Sequence, residues 1–557
     1  MENLITAVET AIEKLFNTHL DVNLERPDEQ FGDYATNVAL QLAKPLGKNP
    51  REIGELLAAE LRAQLADQVQ EVTVAGPGFI NLKLADGLLA EMAAAAPGFR
   101  PATYQNEVVV AEYSDPNPFK VLHAGHLYTS VTGDALANLY ELGGGEVHRV
   151  NFGGDVGLHV GRTLWAILAE LGGEHPEKLA EIPVDQHAEW MAKCYVRGTG
   201  AYEDDETAKA AIIELNKRVY QIQAEHDHDS SLAQIYWTCR TWSYEYFDQF
   251  YARIGTKFEK YYPESEVADL GLQTVQAQLK NGVYSESDGA VVFAGEKFGL
   301  HTRVFINSHG IPTYEAKDVG LIMQKWADYH FDRSVVITGN DIVEYMKVVL
   351  KSIEQFQPEL VARTMHLTHG QVKLAGGVKM SSRKGNILRA ADVLDEAAAA
   401  NKELTGDSSE QTVLAAVKYA FLKQRMGDDI IYDPKESVSL EGNSGPYLQY
   451  AHARARSILR KSEQTPVTLA NLDAAERSLA RKISEYPEVV TRAAIGLMPH
   501  HICTYLYELA QSFNRFYEHN RVVGSEREAV RLQLVSLYAD TLKAGLQVLG
   551  ITAPEQM

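Results

Sequence analysis

Residues 111–126 read AEYSDPNPFKVLHAGH. Val108, Val109 and Val110 lead into this stretch as a buried-strand pattern, followed by a carboxylate at Glu112 and an Asn-Pro turn at Asn117. Lys120 comes next, then His123 and His126 around Ala124-Gly125, and a helix pattern, LYTSVTGDALANLYELGG, starts at once. A strand, a turn of small residues and a helix start bring backbone amides and the positive end of a helix dipole to one place. Phosphates are held there. The order predicts a nucleotide site on a strand–turn–helix unit.

Working outward, strand and helix patterns alternate from this unit to about residue 375, with VHRVNF, TRVFIN and RSVVITG as clear strands. Such alternation predicts a parallel, doubly wound, Rossmann-like sheet. Between about residues 160 and 265 the strand rhythm lapses into helical, charge-rich sequence (DDETAKAAIIELNKRVYQIQAEHDHDSS), which reads as a helical insertion in the sheet domain. Residues 1–105 form a small N-terminal α/β unit, with helical ETAIEKLF, YATNVALQLAKPLG and PREIGELLAAELRAQL and strands VQEVTVAG and GFINLKL. An Ala- and Pro-rich linker, AAAAPGFRPATYQN, closes it. The α/β catalytic domain is expected over 106–435 and an all-α helical bundle over 436–557.

The chain has 557 residues, enough for several cores, with 45% hydrophobic and 23% charged residues, as in a globular protein. No run reaches bilayer length, and the acidic, amphipathic start lacks the basic flank of a signal peptide. A cytoplasmic location is expected, with no membrane partner. Cys194, Cys239 and Cys503 lie far apart without a CxxC pair, which argues against a disulfide scaffold and a cysteine zinc site. The net charge of −22 weighs against general nucleic-acid affinity, and DNA is not expected as a partner. Local basic strips can still bind a phosphate backbone.

Two segments carry phosphate chemistry. In HAGH the imidazoles of His123 and His126 are three positions apart at a helix start, on one face, with Gly125 allowing close approach of a flat ring. They suit hydrogen bonding to phosphate oxygens as charge builds up, although a capped helix with two ordinary histidines has the same pattern. The second segment, GGVKMSSRKGN at 376–386, sets Lys379, Met380, Ser381, Ser382, Arg383 and Lys384 in a Gly-flanked loop. Cations and hydroxyls there suit a leaving pyrophosphate, and a solvated basic turn is the alternative.

Together, and in this order, the two segments resemble the HIGH and KMSKS signatures of class I aminoacyl-tRNA synthetases. Over nearly its full length the chain resembles the arginyl-tRNA synthetases of that class. The likeness runs through FGDYATNVALQLAK, AGPGFINLKL, EYSDPN, HAGHL, GDALANL, GIPTYEAKD, SGPYLQYAHARARSIL and the terminal LGITAPEQM. It implies arginine activation by ATP with Mg²⁺, no zinc or organic cofactor, transfer to tRNA(Arg), and a monomer. It also implies that activation requires bound tRNA.

The resemblance assigns residues as well. Glu112, Asn117, His123, Tyr314 and Asp318 match arginine contacts, and Asn340, at a strand end, is a weaker candidate for the pocket or the adenosine. A guanidinium also needs planar carboxylate partners, and Tyr314 and Asp318 stand one helical turn apart, with a helix start carrying a solvated acid as the alternative. His123, Gly125, His126, Lys379, Met380 and Ser381 match ATP contacts, and Lys120, His123, His126, Lys379, Arg383 and Lys384 the catalytic set. KMSSR has Ser382 where the signature has its second lysine, and Lys120 is expected to supply that cation. For tRNA, Phe79 and Asn81 match an N-terminal contact, with Phe79 as a core residue the alternative. Tyr447, Tyr450 and Arg454, beside Arg456, Arg460 and Lys461, interleave aromatic and basic groups suited to unstacked bases, or form a core stripe with a solvated basic face. Two rivals are a class I enzyme for another amino acid, which pyrophosphate exchange over an amino-acid panel separates, and a non-catalytic tRNA-binding paralogue.

Overall fold

A computed structural model describes residues 2–375 and 388–557. The N-terminal unit comprises α1 (Glu2–Phe16), β1 (Tyr34–Thr36), α2 (Val38–Leu46), α3 (Pro50–Gln64), β2 (Val69–Ala75), β3 (Phe79–Leu84) and α4 (Asp86–Ala95). Its antiparallel sheet has the order β1-β3-β2. Ile80, Leu82 and Leu84 alternate along β3 and share a core with Val8, Ile12, Leu57 and Leu61. The sequence pattern ran the second helix back to Tyr34. Tyr34–Thr36 instead pairs with β3, and the helix begins at Val38.

The central domain builds a five-stranded, all-parallel sheet from β4 (Val108–Glu112), β5 (Glu146–Gly153), β6 (Lys260–Pro263), β10 (Arg333–Gly339) and β11 (Thr364–His369). The order is β11-β10-β4-β5-β6. Val109, Val110, Val335 and Val336 are buried, as expected of strands covered on both faces. The winding direction reverses between β4 and β10, and ligands of such sheets bind at that switch point, beyond the carboxyl ends of the strands. Helix α5 (Ala124–Leu142) starts there.

Between β5 and β6 the chain forms α6 (Leu158–Leu171), α7 (His187–Asp204), α8 (Glu206–Glu225) and α9 (Ser231–Ile254). These helices have a core of their own, including Leu164, Ile167, Val219, Leu232, Tyr236 and Cys239. After β6 come α10 (Glu264–Lys280), β7 (Ser285–Ser287), β8 (Ala290–Phe293), β9 (Arg303–Ile306) and α11 (Tyr314–Tyr329). The strand read in TRVFIN is thus β9, but it pairs antiparallel with β8 in a separate three-stranded sheet, because a tight turn joins β7 to β8 and a loop without a crossover α-helix joins β8 to β9.

Helices α12 (Val343–Glu354) and α13 (Pro358–Ala362) connect β10 to β11. Strand β12 (Val372–Leu374), α14 (Ala390–Thr405), α15 (Glu410–Leu422), β13 (Ile430–Tyr432) and α16 (Pro434–Ser437) lead to the bundle α17 (Gly445–Arg460), α18 (Ala474–Ser484), α19 (Tyr486–Gly496), α20 (His500–His519) and α21 (Glu528–Val548). Among the described residues no helix is long and apolar enough to cross a membrane.

Candidate active site

The turn after β4 is held in unusual backbone: Ser114, Asp115 and Phe119 have φ of 77°, 48° and 66°. Left-handed conformations cost energy in residues with a Cβ and persist only where the surroundings hold them. Asp115 accepts from the Phe152 amide at 2.8 Å, and Asn117 Oδ1 accepts from the Gly154 amide at 2.8 Å, which fixes the donor edge of that amide side chain.

His123 is the N-cap of α5. Its Nδ1 accepts from the His126 amide at 3.3 Å, and His126 Nδ1 accepts from the His123 amide at 3.1 Å. The rings stack with centroids 3.7 Å apart. Two accepting Nδ1 atoms leave the proton of each neutral ring on Nε2. Burial, reinforced by Lys120, lowers His123 to about 4; burial, His123 and Lys120 push His126 well below the usual histidine range. Both are neutral donors at pH 7. A Cβ on Gly125 would sit 2.8 Å from the His123 ring, so the ring that approaches this glycine is the neighbouring imidazole.

On the other side of the switch point, the first turns of α11 carry Tyr314, Lys317 and Asp318. Tyr314 is exposed and Asp318 buried. The Asp318 carboxyl accepts from the Tyr345 hydroxyl on α12. Burial pushes it up to about 7, with the Tyr345 bond lowering it and Glu112 and Glu264 raising it. Lys317 Nζ donates to Glu264 at 2.6 Å and to the Tyr220 hydroxyl at 3.1 Å, and lies 5.2 Å from the Tyr314 ring centre. Burial also raises Asp115 well above the carboxylate range, with Glu112 adding to it. Four carboxyl groups (Glu112, Asp115, Glu264 and Asp318) therefore face three lysines: Lys317, Lys325 and, acting on Glu264 without a direct bond, Lys120. Such a deficit calls for a cationic ligand.

Glu112 enters this group differently from expectation. It is buried and paired with Lys325, which also reaches Ser334 Oγ at 3.1 Å. It is half of an ion pair under the site, not an uncommitted acid, because a lone carboxylate at that depth would be too costly. Asn340 is exposed at the C-terminal end of β10. Its neighbour Asp341 is close enough to influence His123 and His369 electrostatically. Lys120 lies 4.9 Å from the Tyr195 ring centre and lowers both HAGH histidines. Lys379, Met380, Ser381, Ser382, Arg383 and Lys384 lie outside the described residues.

Sequence reasoning missed Asp115, Glu264, Lys317, Lys325 and Tyr345. Asp115 and Lys317 sat inside quoted motifs. Glu264 and Tyr345 gave no local signal, since their partners come from other elements.

Among the residues assigned to RNA, Phe79 is 42% exposed, which rules out its core alternative, whereas Asn81 is 5% exposed. In the middle strand of its sheet Asn81 is covered in the free chain, whereas Phe79 is presented. On α17, Tyr447, Tyr450 and Arg454 follow each other at helical spacing. Tyr450 is exposed, Tyr447 accepts from Asn514 at 2.8 Å, and the Arg454 guanidinium lies 4.8 Å from the Tyr517 ring centre. Arg456 and Arg460 are occupied elsewhere, with Asp540 at 2.7 Å and the Glu555 carbonyl at 3.0 Å.

A switch point with the HAGH histidines on one side and an acid-rich pocket on the other can bring a phosphate-bearing and a cationic substrate together. Residues 91–432 match the family model described as the class I (R) tRNA synthetase catalytic domain, residues 2–84 the arginyl-tRNA synthetase N-terminal domain, and residues 448–557 the DALR anticodon binding domain. The chain belongs to the arginyl-tRNA synthetase family. It is 29% identical to an arginine–tRNA ligase of Porphyromonas gingivalis over all of both chains, and 28% identical to one of Flavobacterium psychrophilum over 100% of this chain and 99% of the relative. The Thermus thermophilus arginyl-tRNA synthetase structure superposes with a TM-score of 0.80 at 26% identity, over the whole of both chains. A Plasmodium falciparum structure gives 0.79 at 22% identity, over 100% of this chain and 99% of that one, a likeness of fold.

Proposed function

We propose that the chain's arginine–tRNA ligase activity divides between the two sides of the switch point. Asp318, held by Tyr345, takes the arginine guanidinium, with Tyr314 packed over it. Asn117 and the Glu264–Lys317 pair orient the α-amino end, and Glu112 supports them from below. Asn340 lies at the nucleotide edge. The observation that carries this reading is the carboxyl excess around Asp318, which a substrate with two positive groups relieves.

The arginine carboxylate oxygen attacks the α-phosphorus of ATP in line; that P–O bond forms as the bond to pyrophosphate breaks. A terminal adenosine hydroxyl of tRNA(Arg) then attacks the adenylate carbonyl, forming the arginyl ester and releasing AMP. Mg²⁺ arrives with ATP as part of that substrate. His123 and His126 stay neutral and donate through Nε2–H to phosphate oxygens, so positive charge must come from elsewhere. Lys120 supplies it, with Lys379, Arg383 and Lys384 of the KMSSR segment. Phe79 on the N-terminal unit and Tyr447, Tyr450 and Arg454 on α17 meet the tRNA, the aromatic faces stacking bases.

Aminoacylation with radiolabelled arginine, run with and without tRNA during the activation step, tests this reading. Charging of tRNA(Arg) with arginine, and not with citrulline, is expected; equal use of both would remove Asp318 from the guanidinium. Lys120→Ala is expected to reduce arginine activation at least about 100-fold with folding intact, the scale of one oriented charge stabiliser.

A further inference from the structure

The four helices between β5 and β6 reach the turn that carries Lys120. Phe119 is fully buried in the core of that insertion and stacks on Tyr236 of α9, centroids 5.7 Å apart. Its amide donates to Ser243 Oγ, also on α9, at 2.9 Å. Farther back in the turn, the Ser114 hydroxyl bonds the Tyr251 hydroxyl of α9 at 2.7 Å. Two of the three left-handed residues, Ser114 and Phe119, are thus fastened to one helix. The next residue, Lys120, projects over the Tyr195 ring of α7. On the amino-acid side, α8 sends the Tyr220 hydroxyl to Lys317.

We propose that the helical insertion positions Lys120 for the reaction: α9 anchors Phe119, and Tyr195 of α7 is the platform that directs the ammonium toward the phosphates. This rests on the reading of Lys120 as the cation that KMSSR lacks. An aromatic face holds an ammonium without neutralising it, so its charge stays available to a phosphate, whereas a carboxylate would cancel it. A four-carbon stem is otherwise free over several rotamers, and fixing it before ATP binds removes an entropy cost from the transition state. Tyr195 acts on the reaction through Lys120, the cation that lies over its ring. It is a positioning residue.

The test is a double-mutant cycle on ATP–pyrophosphate exchange with tRNA present, comparing Tyr195→Leu, Tyr195→Phe, Lys120→Ala and Tyr195→Leu/Lys120→Ala. Tyr195→Leu is expected to lower kcat about tenfold, the scale of a partly desolvated cation–π contact, with the arginine KM within about twofold. Tyr195→Phe keeps the aromatic face and is expected to retain most activity. In the Lys120→Ala background, Tyr195→Leu is expected to add nothing. Additive losses in the double variant, or equal losses in Tyr195→Leu and Tyr195→Phe, would overturn the platform while leaving Lys120 in its role. An unimpaired Lys120→Ala would overturn both. Thermal melts monitor folding, and Tyr195→Gln, of similar reach but without a ring, replaces Tyr195→Leu should that variant unfold.

Discussion

Asp318 in the unliganded protein holds a proton near neutrality, because burial lifts its carboxyl to about 7. A guanidinium favours the carboxylate, so arginine binding must displace that proton. Calorimetry at pH 7 in buffers of different ionisation enthalpy is expected to show release of a fraction of one proton per arginine bound. Affinity should fall as pH drops from 8 to 6, by at most about tenfold per unit. The same shift sets the sign of its stability effect. A raised folded pKa means that the folded chain binds more protons than the unfolded one between the ordinary carboxylate value and about 7, so stability declines as pH rises through that window. Asp318→Asn keeps an acceptor for Tyr345 and is expected to gain on the order of 4 kcal/mol at pH 8 and nothing near pH 3.5, read by urea unfolding. It should also abolish the proton release. The chain announced this residue, since Tyr314 and Asp318 stand one turn apart in YEAKD. It did not announce that Glu112 would be neutralised: Lys325 is 213 positions away, and only the packing of α11 against β4 brings the two together.

Helix α11 must present Tyr314, Lys317 and Asp318 at the right depth, and its distance from α10 is set by two glycines. A Cβ on Gly320 would collide with the Val267 carbonyl and approach the Gly271 amide nitrogen to 2.7 Å, and one on Gly271 would collide with the Ala316 carbonyl. The two backbones therefore touch. Helix α10 begins with Glu264, so the contact also fixes the Glu264–Lys317 pair. Gly320→Ala improves helix propensity yet forces the helices apart. The expected net result is a loss of about 2 kcal/mol or more and at least a tenfold rise in the arginine KM, measured by thermal melts and pyrophosphate exchange. A variant with unchanged KM would show that α11 can move without moving its pocket. At this scale the sequence was informative about what repeats: valine-rich strands, helix starts and the lapse of strand rhythm across the insertion. It was silent about contacts needing two elements at once, such as Gly271 against Gly320, and about β9, whose local pattern is strand-like whatever its partners.

Across the whole molecule, the N-terminal unit is clamped to the C-terminal bundle by partly buried ion pairs. Arg477 on α18 binds Asp33 at 2.5 Å and Asp86 at 2.6 Å, and Arg26 binds Glu488 on α19 at 2.9 Å. Asp33 is buried and also takes the Leu84 amide at 2.7 Å. Asp33 and Arg477 are 444 positions apart, beyond the reach of any periodicity in the sequence. The clamp fixes the separation between Phe79 on one unit and Tyr450 and Arg454 on the other. Two weak surfaces engage one rigid RNA strongly only if held at the spacing that RNA presents, because the second contact then forms at high effective concentration. Arg477→Ala leaves a buried carboxylate without its main partner, a loss of about 3 kcal/mol that falls on the interface. The KM for tRNA is therefore expected to rise tenfold or more, with faster proteolysis in the 97–106 segment. Pyrophosphate exchange at saturating tRNA should stay near its original rate, since Asp318, Lys120 and their supports lie in the central domain. An equal loss of exchange at saturating tRNA would instead mean that the clamp holds the catalytic domain together, and the two RNA surfaces would not need a fixed spacing.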